Sequence, residues 1–486
     1  MTNNTANTLP LGTQGILYGG EEHLTETPYE TVSPFNGKPA ARAHLAGPAE
    51  VEQALASIAR GFEVTKTLSG YERSVILERV SQGIADAQDA FAKAIALEAG
   101  KPIQTAEGEV SRAVFTFKVA SEEARRIGGE VLPLDWLAGL DGSRADVRRV
   151  PLGPVTAITP FNFPLNLVAH KIAPAMAAGN PIALRPDHRT PTAAIMLGRV
   201  IQEAGWPSDG LAIMPTAVEH AAPFVEDDRS KLFSFTGSPN VGWMLKNNAG
   251  RKRVALELGG NAGTLVHRDA DLDWAAERIA WGGFSYSGQS CISVQRVFVH
   301  EDVMDAFADK FVTRVKQMKT GDPMDPAVHF GPVIDQTAAE RVVAWIAEAV
   351  DGGAKLLTGG EADGTLVEPT VLVGAAAHHK VVCEEVFGPV VTLLPFSDAS
   401  DALRQIDDSD FGLQAGLFTN DYALIEEAFD TVEVGGLVVN DVSTFRVDHM
   451  PYGGVKASGF GKEGLRSAIH DMTEEKLLVH RKRPAS

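Results

Sequence analysis

Cysteine is nearly absent: the chain of 486 residues holds two, Cys291 and Cys383. Two thiols build no disulfide framework in a chain this long, so the expected setting is the reducing cytoplasm. Basic charge is also short, with 44 Lys and Arg against 63 Asp and Glu and a net charge of -19. A nucleic-acid binder would display a basic surface, so no nucleic-acid partner is expected. No apolar run reaches the roughly 18 residues of a membrane span. Residues 150–180 come nearest, and prolines, asparagines and the pair His170-Lys171 interrupt them. Residues 1–10 carry neither a basic stretch nor an apolar core, so no secretory leader is expected. The sequence shows no internal repeat and no low-complexity tract beyond those ten residues.

What is present is mostly apolar. Hydrophobic residues make up 44% of the chain and charged residues 22%, enough to bury large cores without staples. The length exceeds a single compact core and predicts two or three domains. Behind Pro48, the spacing of Val51, Ala54, Leu55 and Ile58 predicts helix over residues 49–99. A second helix, 103–127, ends at Gly128-Gly129. Strands and helices then alternate: strand 155–158, helix 165–178, strand 181–184, helix 192–204, strands 211–214 and 232–235, and a helix opening near Ser238. A second alternating set begins near Ala262, with helices 273–282, 303–318 and 337–350 and strands 294–299, 390–393 and 436–440. This pattern predicts an α/β fold with doubly wound parallel sheets. Residues 131–150 read as an extended hairpin and the tail after Thr473 as another extended piece. The unpaired edges of such an arm invite a neighbouring copy.

Three side chains stand where chemistry can use them. Cys291 ends Gly288-Gln289-Ser290-Cys291, a small polar turn that presents a thiol, whereas an inert cysteine sits among apolar neighbours. Cys383, flanked by Val381, Val382 and Val386, fits the inert description. Glu257, between Leu256 and Leu258 and before Gly259-Gly260, is placed to be desolvated, which would raise its pKa and make it a base near neutral pH. The alternative is a strand-edge acid paired with a cation such as Arg253. Asn162, in Pro160-Phe161-Asn162-Phe163-Pro164, suits an amide donor to a developing oxyanion, or is an ordinary turn asparagine.

Together with Phe235-Thr236-Gly237-Ser238, Glu384-Glu385-Val386-Phe387-Gly388-Pro389 and Pro451-Tyr452-Gly453-Gly454-Val455-Lys456, these segments resemble the aldehyde dehydrogenase superfamily in order and spacing over nearly the whole chain. Within it, the chain resembles the lactaldehyde/succinate-semialdehyde-like branches. The resemblance implies an aldehyde dehydrogenase-like fold: two doubly wound parallel-sheet domains and a β-hairpin oligomerisation arm. Residues 1–127 and 150–257 would bind the dinucleotide, 258–457 would be catalytic, and 128–149 with 470–486 would form the arm and tail of a homodimer or homotetramer. It further implies that Cys291 attacks a small-molecule aldehyde to give a thiohemiacetal. Asn162 and the Cys291 backbone N–H would hold the oxyanion, hydride would pass to NAD or NADP, and Glu257 would activate the water that releases the acid. Glu463 matches a family glutamate assigned to proton relay; a surface acid is the alternative. No metal is implied.

The same resemblance gives the cofactor contacts. No G-x-G-x-x-G follows a strand, and Gly237-Ser238 before a helix takes its place as a pyrophosphate site. Thr159 and Phe161 would lie along the cofactor, Glu385 would meet the nicotinamide ribose and Phe387 would pack nearby. Where the family generally has Lys-Pro, this chain has Arg185-Pro186, and His188 with Arg189 stands where NAD-preferring members place a glutamate. NADP should therefore be accepted, with Arg185 or Arg189 meeting the 2′-phosphate. For the substrate, the matching positions are Phe163, Asn166, His170, Arg446 and Tyr452, with Arg112 on the helix resembling the tunnel wall. Two arginines suit an anionic tail; an ion-paired arginine is the alternative, with Asp448 close enough in sequence to partner Arg446. A coenzyme A-acylating enzyme and a catalytically silent scaffold are the competing functions. Acylating relatives commonly lack the glutamate, and a silent scaffold should lose Cys291, Glu257 or Asn162; all three are present.

Overall fold

A computed structural model describes residues 9–482; the expectations for residues 1–8 and for the last four residues of the tail lie outside the described residues. Two large sheets organise the chain. The first has eight strands in the order Gly459–Phe460, Arg253–Glu257, Leu232–Thr236, Val155–Ile158, Ile182–Arg185, Leu211–Ile213, Ile16–Tyr18, Glu21–His23. Its inner strands run parallel, and antiparallel pieces close both edges. Four of these strands are buried at every residue and show no polar alternation, because helices cover both faces.

One face packs against the helices Gly70–Asp86, Gln88–Ala99, Ile103–Ala124, Asn166–Ala178 and Thr192–Glu203. The helix Ile103–Ala124 turns Ala106, Val110, Ala113, Phe117 and Ala120 inward at three- and four-residue spacing. Its alanines let it lie close to Asn166–Ala178, which is buried on all sides. Burial of a side chain such as Phe117 contributes roughly 1.5–3 kcal/mol. The second sheet has seven strands in the order Lys355–Thr358, Thr370–Val373, Val390–Phe396, Val294–His300, Ala262–Val266, Gln414–Phe418, Gly436–Val439. All its pairs are parallel except the first.

The helix expected over residues 49–99 is three helices, Pro48–Thr65, Gly70–Asp86 and Gln88–Ala99. The first break is set by Ser69, whose hydroxyl accepts from the Glu72 amide while the Glu72 carboxylate accepts from the Ser69 amide. The expected hairpin is present as Gly129–Pro133 and Arg144–Pro151, and Thr473–His480 pairs along the whole second strand to make a three-stranded arm. Cys383 departs from the buried reading and is exposed. It ends the short helix Lys380–Cys383, whose 100° step per residue turns Val381 and Val382 inward and the thiol outward. Among the described residues no helix is long and apolar enough to cross a membrane. Nor does any group of three or more His, Cys, Asp or Glu stand where it could hold a metal ion.

Candidate active site

The helix Leu272–Phe284 gives way to a turn in which Tyr286, Ser287 and Gly288 all take left-handed backbone, with φ of 50°, 55° and 68°. Only glycine adopts that region freely; the other two are held there by their side chains. The Tyr286 hydroxyl donates to the Ala99 carbonyl at 3.0 Å and the Ser287 hydroxyl to the Gly331 carbonyl at 2.6 Å. Gln289 locks the next residue by accepting from the Ile334 amide at 2.8 Å. A Cβ on Gly288 would stand 2.1 Å from the Gly388 carbonyl oxygen. The turn thus delivers Cys291, half-buried, to a cavity of about 240 Å³. Burial pushes its thiol up to about 12, against the opposing pull of a Tyr452 hydrogen bond.

The cavity lies where parallel strands of the first sheet end, at their carboxyl edge. Glu257 is the last residue of its strand and lines the cavity with Asn162, Cys291, Phe163 and Tyr452. It is 4% exposed, and its Oε2 has no partner. Burial, then the nearby charge of Glu463, raises its pKa well above the ordinary carboxylate range. Arg253 does not pair with it; that guanidinium turns away to Glu474 at 2.5 Å. Asn162, also buried, donates through Nδ2 to the Gln289 carbonyl at 3.0 Å, which ties it to the thiol's own loop. Its amide has a second N–H for another acceptor.

Glu463 is no surface acid. It is 3% exposed, with Lys171 at 3.1 Å and Arg446 at 3.3 Å. Burial alone would raise it, but Lys171, His170 and Arg446 together hold it at about 2. Arg446 lies flat on Tyr452, its guanidinium carbon 3.6 Å from the ring centre. It lines the cavity, its side chain is 6% exposed, and its Nε has no partner. Asp448, which sequence nearness pairs with Arg446, is instead clasped by Arg112 through two hydrogen bonds of 3.1 and 2.7 Å. Asn166 donates to it at 3.1 Å, and His170 Nε2 stands 2.8 Å away. His170 is therefore a buried support behind the pocket, while Arg112, a third exposed, faces the cavity.

On the cofactor side, Ser238 caps the helix Pro239–Asn248 but makes no side-chain cap bond, and it lines the cavity with Gly237, Phe161, Glu385 and Phe387. Thr159 Oγ1 and Thr236 Oγ1 are buried without partners. Unanswered hydroxyls beside a free helix N-terminus fit a dinucleotide phosphate. Glu385 accepts from the Gly260 amide at 2.9 Å and is raised by burial to about 7. A Cβ on Gly259 would stand 2.4 Å from its carboxylate, so a larger residue there would push the Glu385 side chain aside. Phe161 and Phe387 meet edge to face at 6.0 Å. Arg185 is buried and donates its Nε to the Thr216 carbonyl at 2.9 Å. Arg189 is not free for a phosphate as expected: Asp187 and Asp335 bind it, and it stacks on Phe161 at 4.5 Å. His188 is half-exposed, beside the Tyr29 ring.

Sequence reasoning missed two buried supports. Lys101 and Glu109 form an ion pair, with the Lys101 ammonium 3.7 Å above the Phe163 ring. Glu109 also accepts from the Leu165 and Asn166 amides at 2.9 and 3.0 Å, fixing the helix that follows Asn162. Lys171, the one formal cation in a helix buried along its whole length, was the visible signal for the other, its pair with Glu463.

A model described as "Aldehyde dehydrogenase family" matches residues 21–478. The 3-sulfolactaldehyde dehydrogenase of Priestia aryabhattai is 42% identical over 466 residues, covering 96% of this chain and 97% of that protein. The crystal structure of aldehyde dehydrogenase 21 from Physcomitrella patens, in complex with the reaction product succinate, superposes with a TM-score of 0.95 at 39% identity, covering 97% of this chain and 98% of that one. The glyceraldehyde-3-phosphate dehydrogenase GapN of Methanocaldococcus jannaschii, complexed with NADP, has a TM-score of 0.91 at 35% identity, covering 94% and 100%.

Proposed function

The chain belongs to the aldehyde dehydrogenase family and is an NAD(P)-dependent aldehyde dehydrogenase, and on that premise we propose that it oxidises a small aldehyde with an anionic tail. The observation that carries this reading is Arg446, a buried guanidinium in the cavity wall with an unpartnered Nε. Arg112 lines the same cavity, although its guanidinium is held by Asp448. Sulfolactaldehyde, succinate and glyceraldehyde 3-phosphate, in the names of the relatives, carry a sulfonate, carboxylates and a phosphate. A cavity of about 240 Å³ suits such small molecules.

Cys291 supplies the sulfur that bonds to the aldehyde carbon. Asn162 and the Cys291 backbone N–H receive the negative oxygen, and Asn162 is already oriented by Gln289. Ser238, Thr236, Glu385 and Phe387 would hold the nicotinamide cofactor, which would supply the acceptor for the hydride. Glu257, its Oε2 unanswered in the cavity, takes the proton of the water that cleaves the thioester. Its presence favours hydrolysis over transfer to coenzyme A. Arg185 is the cation left for a 2′-phosphate, so NADP is accepted alongside NAD; a kcat/KM for NADP more than about a thousandfold below that for NAD would refute this. We assign the eight-stranded sheet to the dinucleotide, the seven-stranded sheet to catalysis and the arm to assembly as a homodimer or homotetramer in the cytoplasm.

Cys291→Ser is expected to abolish turnover. Arg446→Ala is expected to raise KM for an anionic aldehyde by about tenfold or more, since a charged hydrogen bond contributes roughly 1.5–3 kcal/mol, and to leave a neutral aldehyde's KM nearly unchanged. Equal effects on both aldehydes would remove the anionic-tail reading.

A further inference from the structure

We propose that Tyr452 is a catalytic residue whose phenol donates a hydrogen bond to the Cys291 thiolate when it forms and so stabilises it, with Arg446 on the ring face strengthening that donor. The inference rests on Cys291 being the nucleophile. The Tyr452 hydroxyl lies 3.2 Å from the Cys291 sulfur, the residue is 3% exposed, and its hydroxyl makes no other hydrogen bond among the described residues. A buried phenol needs a partner, and this one has only sulfur to turn to.

The direction of the bond follows from chemistry. Burial first, then the neighbouring thiol, keeps the Tyr452 phenol protonated far above its ordinary range. An ionised sulfur has no proton to give and can only accept, so the bond with the thiolate is O–H···S⁻. The setting makes that donor matter. Burial opposes ionisation of Cys291, and so do the carboxyl groups of Glu385 and Glu257, while Tyr452 and Arg446 act the other way. Among these, the phenol alone touches the sulfur.

The ring is clamped so that its hydroxyl cannot swing away. The Tyr452 amide donates to the Glu463 carbonyl at 3.0 Å, and the Glu463 amide returns the bond at 2.6 Å. Arg446 covers the ring face at 3.6 Å while its Nη2 reaches the Glu463 carboxylate. A cation over the face draws density out of the π-system and leaves the phenol a stronger donor. Phenylalanine would fill the same space and leave the thiolate with no donor.

The test uses the Cys383→Ser protein, in which Cys291 is the sole thiol, and follows the rate of iodoacetamide alkylation against pH. In Tyr452→Phe the thiol pKa is expected to rise by about one unit, with alkylation near pH 8 about three- to tenfold slower and the high-pH plateau not reduced. Replacing the Tyr452 ring with 3-fluorotyrosine keeps its shape and makes the phenol a stronger acid, so the thiol pKa should fall. Circular dichroism checks that each protein is folded, and the fluorinated ring gives a result should Tyr452→Phe not fold. An unchanged thiol pKa in folded Tyr452→Phe overturns the proposal, as does a fall, which would mean that sulfur is the donor; a thiol pKa that does not fall with 3-fluorotyrosine overturns it as well. Turnover surviving in Cys291→Ser would instead refute the nucleophile reading, independently of these pKa values.

Discussion

Glu257 and Glu463 are both buried acids of one site, yet the fold drives them apart. Glu257 has no cation in contact, so burial and the charge of Glu463 raise it. Glu463 is buried too, but Lys171, His170 and Arg446 outweigh that and hold it at about 2, below its ordinary 4.5. Such a split leaves one carboxyl that takes up a proton well above the ordinary carboxylate range and the other fixed as an anion. Glu463→Gln removes the charge that raises Glu257. The acid limb of the pH–kcat profile is then expected to move to lower pH; a shift to higher pH would contradict this electrostatic account. Stability should respond as well. A carboxylate depressed on folding contributes stability above its unfolded value of 4.5, and that contribution is lost as pH falls toward 2. Calorimetric Tm measured against pH should therefore decline less steeply across that window in Glu463→Gln than in the parent. Cys291, Glu257, Asn162 and Glu463 stood out in the sequence because each sits in a short motif, but their partners did not, because these are far away: Tyr452 lies 161 positions from Cys291, Gln289 lies 127 from Asn162, Lys171 lies 292 from Glu463, and Arg112 lies 336 from Asp448.

At the scale of elements, the turn before Cys291 does the positioning. Its left-handed Tyr286 and Ser287 are maintained by hydrogen bonds to Ala99 and Gly331, and Gly288 packs against the Gly388 carbonyl with no room for a side chain. Gly288→Ala is expected to cost about 1–3 kcal/mol in backbone strain and more through the clash, with turnover lost alongside. Denaturant midpoints and kcat measured together would check this; an active variant of parental stability would show that the turn tolerates displacement. Alternating strands and helices were readable from local apolar runs, which gave four of the eight strands of the first sheet and three of the seven of the second. The left-handed pair was not, since nothing local asks Tyr286 or Ser287 to leave the ordinary regions; distant carbonyls do. The break at Ser69 was legible in principle, because Ser69-x-x-Glu72 is a capping box that the helical periodicity obscured.

For the whole molecule, the arm joins the chain's end to its middle. Thr473–His480 pairs with Arg144–Pro151, and Arg149 reaches Thr473 and Glu475. Val131, Trp136, Leu477 and Val479 are exposed on it, an apolar surface suited to another copy. Deleting residues 473–486 is expected to lower the particle mass in multi-angle light scattering; an unchanged mass would exclude the arm from assembly.

The contact between Cys291 and Tyr452 spans 161 positions, and the sulfur is the earlier of the two to be made. At the roughly 5–20 residues per second of synthesis, about ten to thirty seconds separate the thiol's emergence from that of its phenol. Arg446, Asp448 and Glu463 belong to the same late stretch. Contacts over such spans form late in folding as well. The enzyme's sulfur thus exists before its enclosure does. Until the late stretch arrives its thiol keeps its ordinary value near 9, and only then does burial push it up to about 12. It is the finished fold, not the growing chain, that holds the proton on the sulfur.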